Sequence, residues 1–254
     1  MIRVLLMIAV AGFFLSLVTL STAVAIGGPD AVARGAWSSG DWWDWDWDVD
    51  HHVDVSAHDS GPEITREIAW TGGDKLELDV AAEVTYTQAE GPGKLVITGP
   101  QRAVERVEVG DDGRVAYEHG GRRHGRLQIV MTAPAVTRFE LNGNDRLIVN
   151  GYRQDRLDVR LSGSSEMVAQ GEARVVDVEI NGSGEADLGD LKAREASVDI
   201  SGSGEATIAP TEAADLDISG SGEVTLLTNP PRLTSDVSGS GTVKREGAAD
   251  DDAA

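Results

Sequence analysis

Cysteine is absent from the 254 residues. Disulfides therefore take no part in stability, and a lipid-modified cysteine is excluded as an anchor. Positive charge is scarce: 22 Lys and Arg stand against 43 Asp and Glu, a net charge of −21 with a pI near 4.5. Nucleic acid is excluded as a partner, because phosphate binding needs clustered cations. The one linear cluster is Arg122-Arg123-His124-Gly125-Arg126. It reads as a solvated hairpin tip, with pairing to the acidic body as the second reading. Convincing helical periodicity is missing throughout, and so is any apolar run beyond residue 26 long enough to span a bilayer. Serines are many, but none sits in the strand-to-helix setting of a nucleophile elbow or beside a partner histidine, so no serine triad is legible.

What the chain does have is a phrase that returns six times: Leu141-Asn142-Gly143-Asn144, Leu161-Ser162-Gly163-Ser164, Ile180-Asn181-Gly182-Ser183, Ile200-Ser201-Gly202-Ser203, Ile218-Ser219-Gly220-Ser221 and Val237-Ser238-Gly239-Ser240. The first glycines are spaced by 20, 19, 20, 18 and 19 residues. A fixed period of this size marks a solenoid. Two positions before each aligned Leu, Ile or Val stand Phe139, Val159, Val178, Val198, Leu216 and Ser235. Six after it come Leu147, Met167, Ala186, Ala206, Val224 and Val243, and eight after it Val149, Ala169, Leu188, Ile208 and Leu226. Apolar residues at every second position on both sides of a Gly-rich bend are strand periodicity around a corner. A coil of about 19 residues holds two or three short strands but falls well below the roughly 40 of a propeller blade. The expected fold is all-β, a right-handed parallel β-helix. One coil cannot bury its apolar face alone, so neighbours must stack.

The recurring Ile-Ser-Gly-Ser-Gly-Glu phrase resembles the putative auto-transporter adhesin, head GIN domain family of bacterial envelope proteins, over roughly Gly73 to Gly247. That resemblance implies an exported parallel β-helical domain with a surface or adhesive role, and it brings no catalytic residues. Nothing after Val243 has the length for a self-exporting membrane barrel, a departure from the auto-transporter label.

Along the chain, residues 1–25 read as a targeting segment: Arg3, an apolar run from Val4 to Leu20, then Ala23-Val24-Ala25 as a cleavage pattern. Retention as an N-terminal inner-membrane anchor is the alternative, since the run nearly spans a bilayer. Residues 26–61 form a linker containing alternating Trp and Asp. In extended backbone this places Trp43, Trp45, Trp47 and Val49 on one face, with Trp42 beside them. The strip fits aromatic stacking on sugars or a partner, a spacer, or a strand capping the N-terminal end of the solenoid. His51, His52 and His58 with Asp50 and Asp54 carry suitable ligands for Zn²⁺ or Ni²⁺ but lack repeated metal-site spacing, and the main reading is a solvated polar tract. Residues 62–246 are expected to form a single β-helical domain, with regular repeats over 141–243. Its first half reads as strands at 64–70, 75–80, 83–87, 94–98, 104–109, 114–118 and 126–132, as irregular coils or an antiparallel cap; the family resemblance favours irregular coils leading directly into the repeats. Residues 247–254 are an acidic tail unable to bury a core.

Stacking would align Glu166, Glu185, Glu205 and Glu223 in one column, and Glu179, Asp199, Asp217 and Asp236 in another, with Arg160 in line. Carboxylates about 4.8 Å apart repel by roughly 0.9 kcal/mol in water. The glutamate column is a weak candidate for Ca²⁺ or Mg²⁺, or for raised acid pKa values; a solvated acidic face is the main reading, and no cofactor is implied. Short, even links between copies leave no walls for a polysaccharide-cleaving groove. The sequence thus reads as a noncatalytic protein of the periplasm or cell surface that presents a β face to an envelope protein or polysaccharide. Carbohydrate binding through Trp42, Trp43, Trp45 and Trp47 is the alternative, and a β-helix enzyme the third reading.

Overall fold

The computed structural model describes residues 62–118 and 125–246; the leader, the Trp/Asp linker and the tail lie outside these described residues. The described chain is nearly all strand and forms a β-solenoid. Its regular part is carried by β8 (Arg138–Gly143), β9 (Arg146–Gly163), β10 (Glu166–Gly182), β11 (Glu185–Gly202), β12 (Glu205–Gly220), β13 (Glu223–Leu226), β14 (Arg232–Gly239) and β15 (Thr242–Arg245). All neighbouring pairs among these run parallel, and the sequence columns are the register. Leu141, Leu161, Ile180, Ile200, Ile218 and Val237 sit one above another, as do Leu147, Met167, Ala186, Ala206, Val224 and Val243. Alternation points these columns inward, where most are fully buried.

The first half departs from a simple run of coils. β2 (Lys75–Leu78) and β3 (Ala82–Gln88) make a coil that lies between β6 (Arg114–Tyr117) with β7 (Leu127–Ala133) on one side and β8 with β9 on the other. Spatial order therefore differs from chain order. Its inward residues nevertheless extend the same columns: Leu76 stacks on Phe139, Leu78 on Leu141, Val84 on Leu147 and Tyr86 on Val149. Beyond this coil, β1 (Glu63–Ala69) pairs antiparallel with β4 (Lys94–Pro100), β4 with β7, and β5 (Val107–Val109) with β6. Both expected arrangements, parallel coils and an antiparallel cap, thus occur in succession. A single turn of helix, α1 (Gln101–Val104), replaces the start of the strand expected at 104–109; one turn is too short to leave a 3.6-residue pattern.

The two ends are closed differently. At the N-terminal end, partly buried Ile64 and Ile68 of β1 pack on the core beside buried Leu95 and Ile97 of β4. At the C-terminal end two of the inner columns turn polar, Leu216 giving way to Ser235 and Leu226 to Arg245, while the other two end in Val237 and Val243. A polar outer face is what a terminal repeat needs to stay soluble. Core volume also tapers, from Tyr86, Phe139 and Tyr152 in edge-to-face contact near the N-terminal end to alanines at 186, 196, 206 and 214.

The paired glycines of the phrase do two different jobs. At the first, positive φ is required: Gly202 has φ +130°, and a Cβ there would lie 2.4 Å from the Gly182 carbonyl oxygen of the coil below. The second, Gly204, is not in that backbone region; its Cβ would lie 2.5 Å from Cγ2 of Ile180. One glycine turns the chain, and the other lets it approach the preceding isoleucine. Between them, Ser203 N–H donates to Gly182 O at 2.8 Å and Glu205 N–H to Gly184 O at 2.9 Å, so the corner continues the inter-coil ladder. Among the described residues the Ser and Asn side chains form no continuous ladder: Asn142 Nδ2 donates to Asp79 Oδ1 of the neighbouring coil at 3.1 Å, whereas Asn181 Nδ2 donates to Glu179 of its own strand. Where the first phrase faces the irregular β2–β3 corner, the Asp145 carboxylate, 2% exposed, accepts the Ala82 N–H at 3.0 Å.

Gly202→Ala is expected to cost about 2–4 kcal/mol, combining positive-φ strain with a backbone clash. Gly73→Ala, also at positive φ but with nothing within 4 Å of the added Cβ, should cost only about 1–2 kcal/mol. Urea unfolding of both variants checks the ranking; equal costs would contradict the inter-coil clash.

Candidate binding faces

Each regular coil turns three sides outward, two of them in strict register from coil to coil and the third interrupted by bulges. The first side is carried by β3 and the opening residues of β9 to β13 and β15. Its outward column runs Glu83, Arg146, Glu166, Glu185, Glu205, Glu223 and Thr242. The four glutamates singled out in the sequence are therefore direct neighbours. Cations bracket them: Arg146 lies 3.1 Å from Glu166, and Lys244 lies 2.7 Å from Glu223. Glu185 and Glu205 in the middle have no ion pair among the described residues. Among the described residues no three acidic or histidine side chains converge to hold a metal ion.

The second side is carried by β2, β8 and the closing residues of β9 to β12 and β14. Its outward column reads Arg114, Glu77, Glu140, Arg160, Glu179, Asp199, Asp217 and Asp236. In the first half every acid has a cation. Arg114 pairs with Asp79 and Glu77, Lys75 lies 2.6 Å from Glu77, and Arg160 lies 3.7 Å from Glu140 and 3.2 Å from Glu179. In the adjoining column Arg156 bridges Asp158 at 2.6 Å and Asp177 at 2.5 Å. Burial, reinforced by Asp158, still pushes the Asp177 carboxyl up against the opposing pull of Arg156. Beyond Glu179 the cations stop. Asp199 is raised above the ordinary aspartate value, by burial first and then by Asp217 and Glu179 on either side. The acidic repulsion expected from stacking thus adds to burial at Asp199.

The third side is the polar link between the two strand blocks of a coil. Backbone pairing continues through it, but with register shifts between Val168 and Gly171 and between Leu188 and Glu195. These bulges open a groove of about 1180 Å³ lined by Arg153, Asp155, Glu172, Arg174, Lys192 and Arg194 among others. The sequence reading missed this group. Its cations span 41 residues of the chain (194 − 153) and come together only when the coils stack. The linear basic island recognised instead lies mostly outside the described residues; Arg126 at its end donates to Asn144 O at 3.1 Å. Trp42, Trp43, Trp45 and Trp47, and His51, His52 and His58, also lie outside the described residues.

This geometry has counterparts among known proteins. Residues 73–230 match the model of the family described as putative auto-transporter adhesin, head GIN domain. No curated protein matches the chain. Among solved structures, a putative adhesin from Bacteroides fragilis is similar with a TM-score of 0.62 at 21% identity, over 72% of this chain and 97% of that one. A putative lipid binding protein from Parabacteroides distasonis gives 0.48 at 18% identity, over 73% and 97%. A putative adhesin from Parabacteroides merdae gives 0.46 at 18% identity, over 73% and 96%. At such identities the likeness is one of fold, and the first of the three carries it.

Asp199 supplies a pH test. Its raised native-state value means that the folded chain holds this proton to higher pH than the unfolded chain does. The stability so gained is complete below the ordinary value of 3.8 and lost as pH rises through the native-state value. Asp199→Asn should therefore stabilise the protein at pH 7 by a few tenths of a kcal/mol, a small gain because the site is solvent-screened. The difference should vanish below pH 3.8. Urea midpoints at pH 7 and pH 3 measure it; a loss of stability at pH 7 would refute the repulsion.

Proposed function

The chain belongs to the putative auto-transporter adhesin, head GIN domain family, and from that premise we propose that it is a noncatalytic, exported cell-envelope protein whose solenoid presents a repeating surface to a partner. The observation that carries this reading is the register itself. Residues about 19 apart stand side by side, so the two regular outward sides offer stacked rows of side chains at a step of about 4.8 Å over several coils. A periodic face of that kind suits a periodic or extended partner. Enzymes of similar architecture need acids gathered at one walled site. Here the acids are spread along columns, and the links between coils are short. The apolar leader at residues 1–25 supports export, with membrane retention as the alternative route to the same compartment. The Trp42, Trp43, Trp45 and Trp47 strip remains a second candidate for sugar stacking.

Purified chain should sediment with cell-envelope fragments and not with cytosolic extract, and should release no reducing ends from uronic-acid polymers. Turnover that disappears when a few acids are neutralised would replace this reading with an enzymatic one. A Trp42/Trp43/Trp45/Trp47→Ala variant should sediment as before; loss of sedimentation would transfer the binding surface to the tryptophan strip.

A further inference from the structure

We propose that the groove on the third side binds an acidic polysaccharide, seated on Arg174, Lys192 and Arg194; this rests on the envelope-binding reading of the chain. The starting point is where cations lack acids. In a chain with 43 acidic residues, most cations of the described surface are in ion pairs, among them Lys75, Lys94, Arg114, Arg138, Arg146, Arg156, Arg160, Arg232 and Lys244. Arg153, Arg174 and Lys192 are in none among the described residues, and all three line the same groove.

The register sharpens this. Glu172 pairs with Lys192 and Val175 with Glu195, both at an offset of 20 (192 − 172 and 195 − 175), so Arg174 between them stands beside Arg194. Lys192 is two residues from Arg194 on the same outward side. Arg174 and Arg194 thus stand side by side with Lys192 two residues away on the same strand; Arg194 pairs with Glu212 at 3.6 Å, and Glu172, in register beside Lys192 and Arg153, forms no ion pair with either among the described residues. Like charges placed this closely repel, and an anion among them relieves the repulsion. Guanidinium forks are suited to carboxylate and sulfate oxygens.

The acids in the groove select the kind of anion. Asp155, Glu172 and Asp190 line it as well. They would repel a densely charged polymer such as polyphosphate. Carboxylates do, however, accept hydrogen bonds from hydroxyl groups. A chain with widely spaced anionic groups and many hydroxyls satisfies both sets, and that describes an acidic glycan. The groove's about 1180 Å³ exceeds the usual small-molecule range of roughly 300–1,000 Å³ and spans several coils. A polymer segment fills such a space better than a single sugar.

The test is calorimetric titration of the full chain with polygalacturonate, neutral dextran and polyphosphate at low and physiological salt. Polygalacturonate should bind saturably and more weakly as salt rises, dextran should not bind, and polyphosphate should bind at least tenfold more weakly. Arg174→Ala/Lys192→Ala should weaken polygalacturonate binding by about tenfold or more, while Lys94→Ala on β4 should not. Circular dichroism melts verify that both variants fold. An unchanged double variant, an equal loss in Lys94→Ala, or equal binding of polyphosphate would overturn the proposal. If wild-type chain ignores polygalacturonate yet still sediments with envelopes, the groove assignment alone falls; if it does neither, the envelope-binding reading falls with it.

Discussion

The close approach of one coil's corner to the carbonyls of the coil beneath is the constraint on which the rest of the molecule depends. At Gly202 the gap to the Gly182 carbonyl oxygen leaves no room for a side chain, and the same is true at Gly182, Gly220 and Gly239. With the corners held at hydrogen-bond distance, the strands on either side have no freedom to slip. A one-residue slip would turn every buried Ile and Val outward. The register is therefore fixed twice, once by backbone bonds at the bend and once by the apolar columns between bends.

Fixed register turns sequence into surface in a simple way. A residue type repeated every coil becomes a stripe, and its electrostatic consequences follow from its immediate neighbours above and below. On the second side this gives two regimes within one column. Arg114, Lys75 and Arg160 neutralise the lower acids, whereas Asp199, Asp217 and Asp236 face one another without a cation. The third side escapes the strict repeat because bulges interrupt it, and there the cations gather.

Much of this was legible in the sequence alone. The glycine period and the every-second-residue columns predicted the solenoid, its inward residues and the alignment of Glu166, Glu185, Glu205 and Glu223, because the physics that sets register acts on local pattern. Three features were not legible, each for a physical reason. The insertion of β2 and β3 between later strands is a topological choice made by long-range pairing, and nothing in residues 75–88 announces it. The second glycine of each pair looks like a turn residue in sequence, but its role is set by Ile180 or its counterpart in the preceding coil. The cation groove is invisible in one dimension, since Arg153, Arg174 and Lys192 are separated by 21 and 18 residues and lie among acids.

Because the chain contains no cysteine, the stacking can be tested directly by pairs of introduced thiols. Thr207 and Thr225 are register partners on adjacent coils, and Asp187 is the partner of Thr207 on the coil before. Mild oxidation should join Thr207→Cys to Thr225→Cys, whose Cα atoms lie about one strand spacing apart. It should fail to join Asp187→Cys to Thr225→Cys, which are about two spacings apart and beyond disulfide reach. Ready cross-linking of the second pair, or none of the first, would mean that residues one period apart are not stacked and that the periodic faces of the solenoid do not exist.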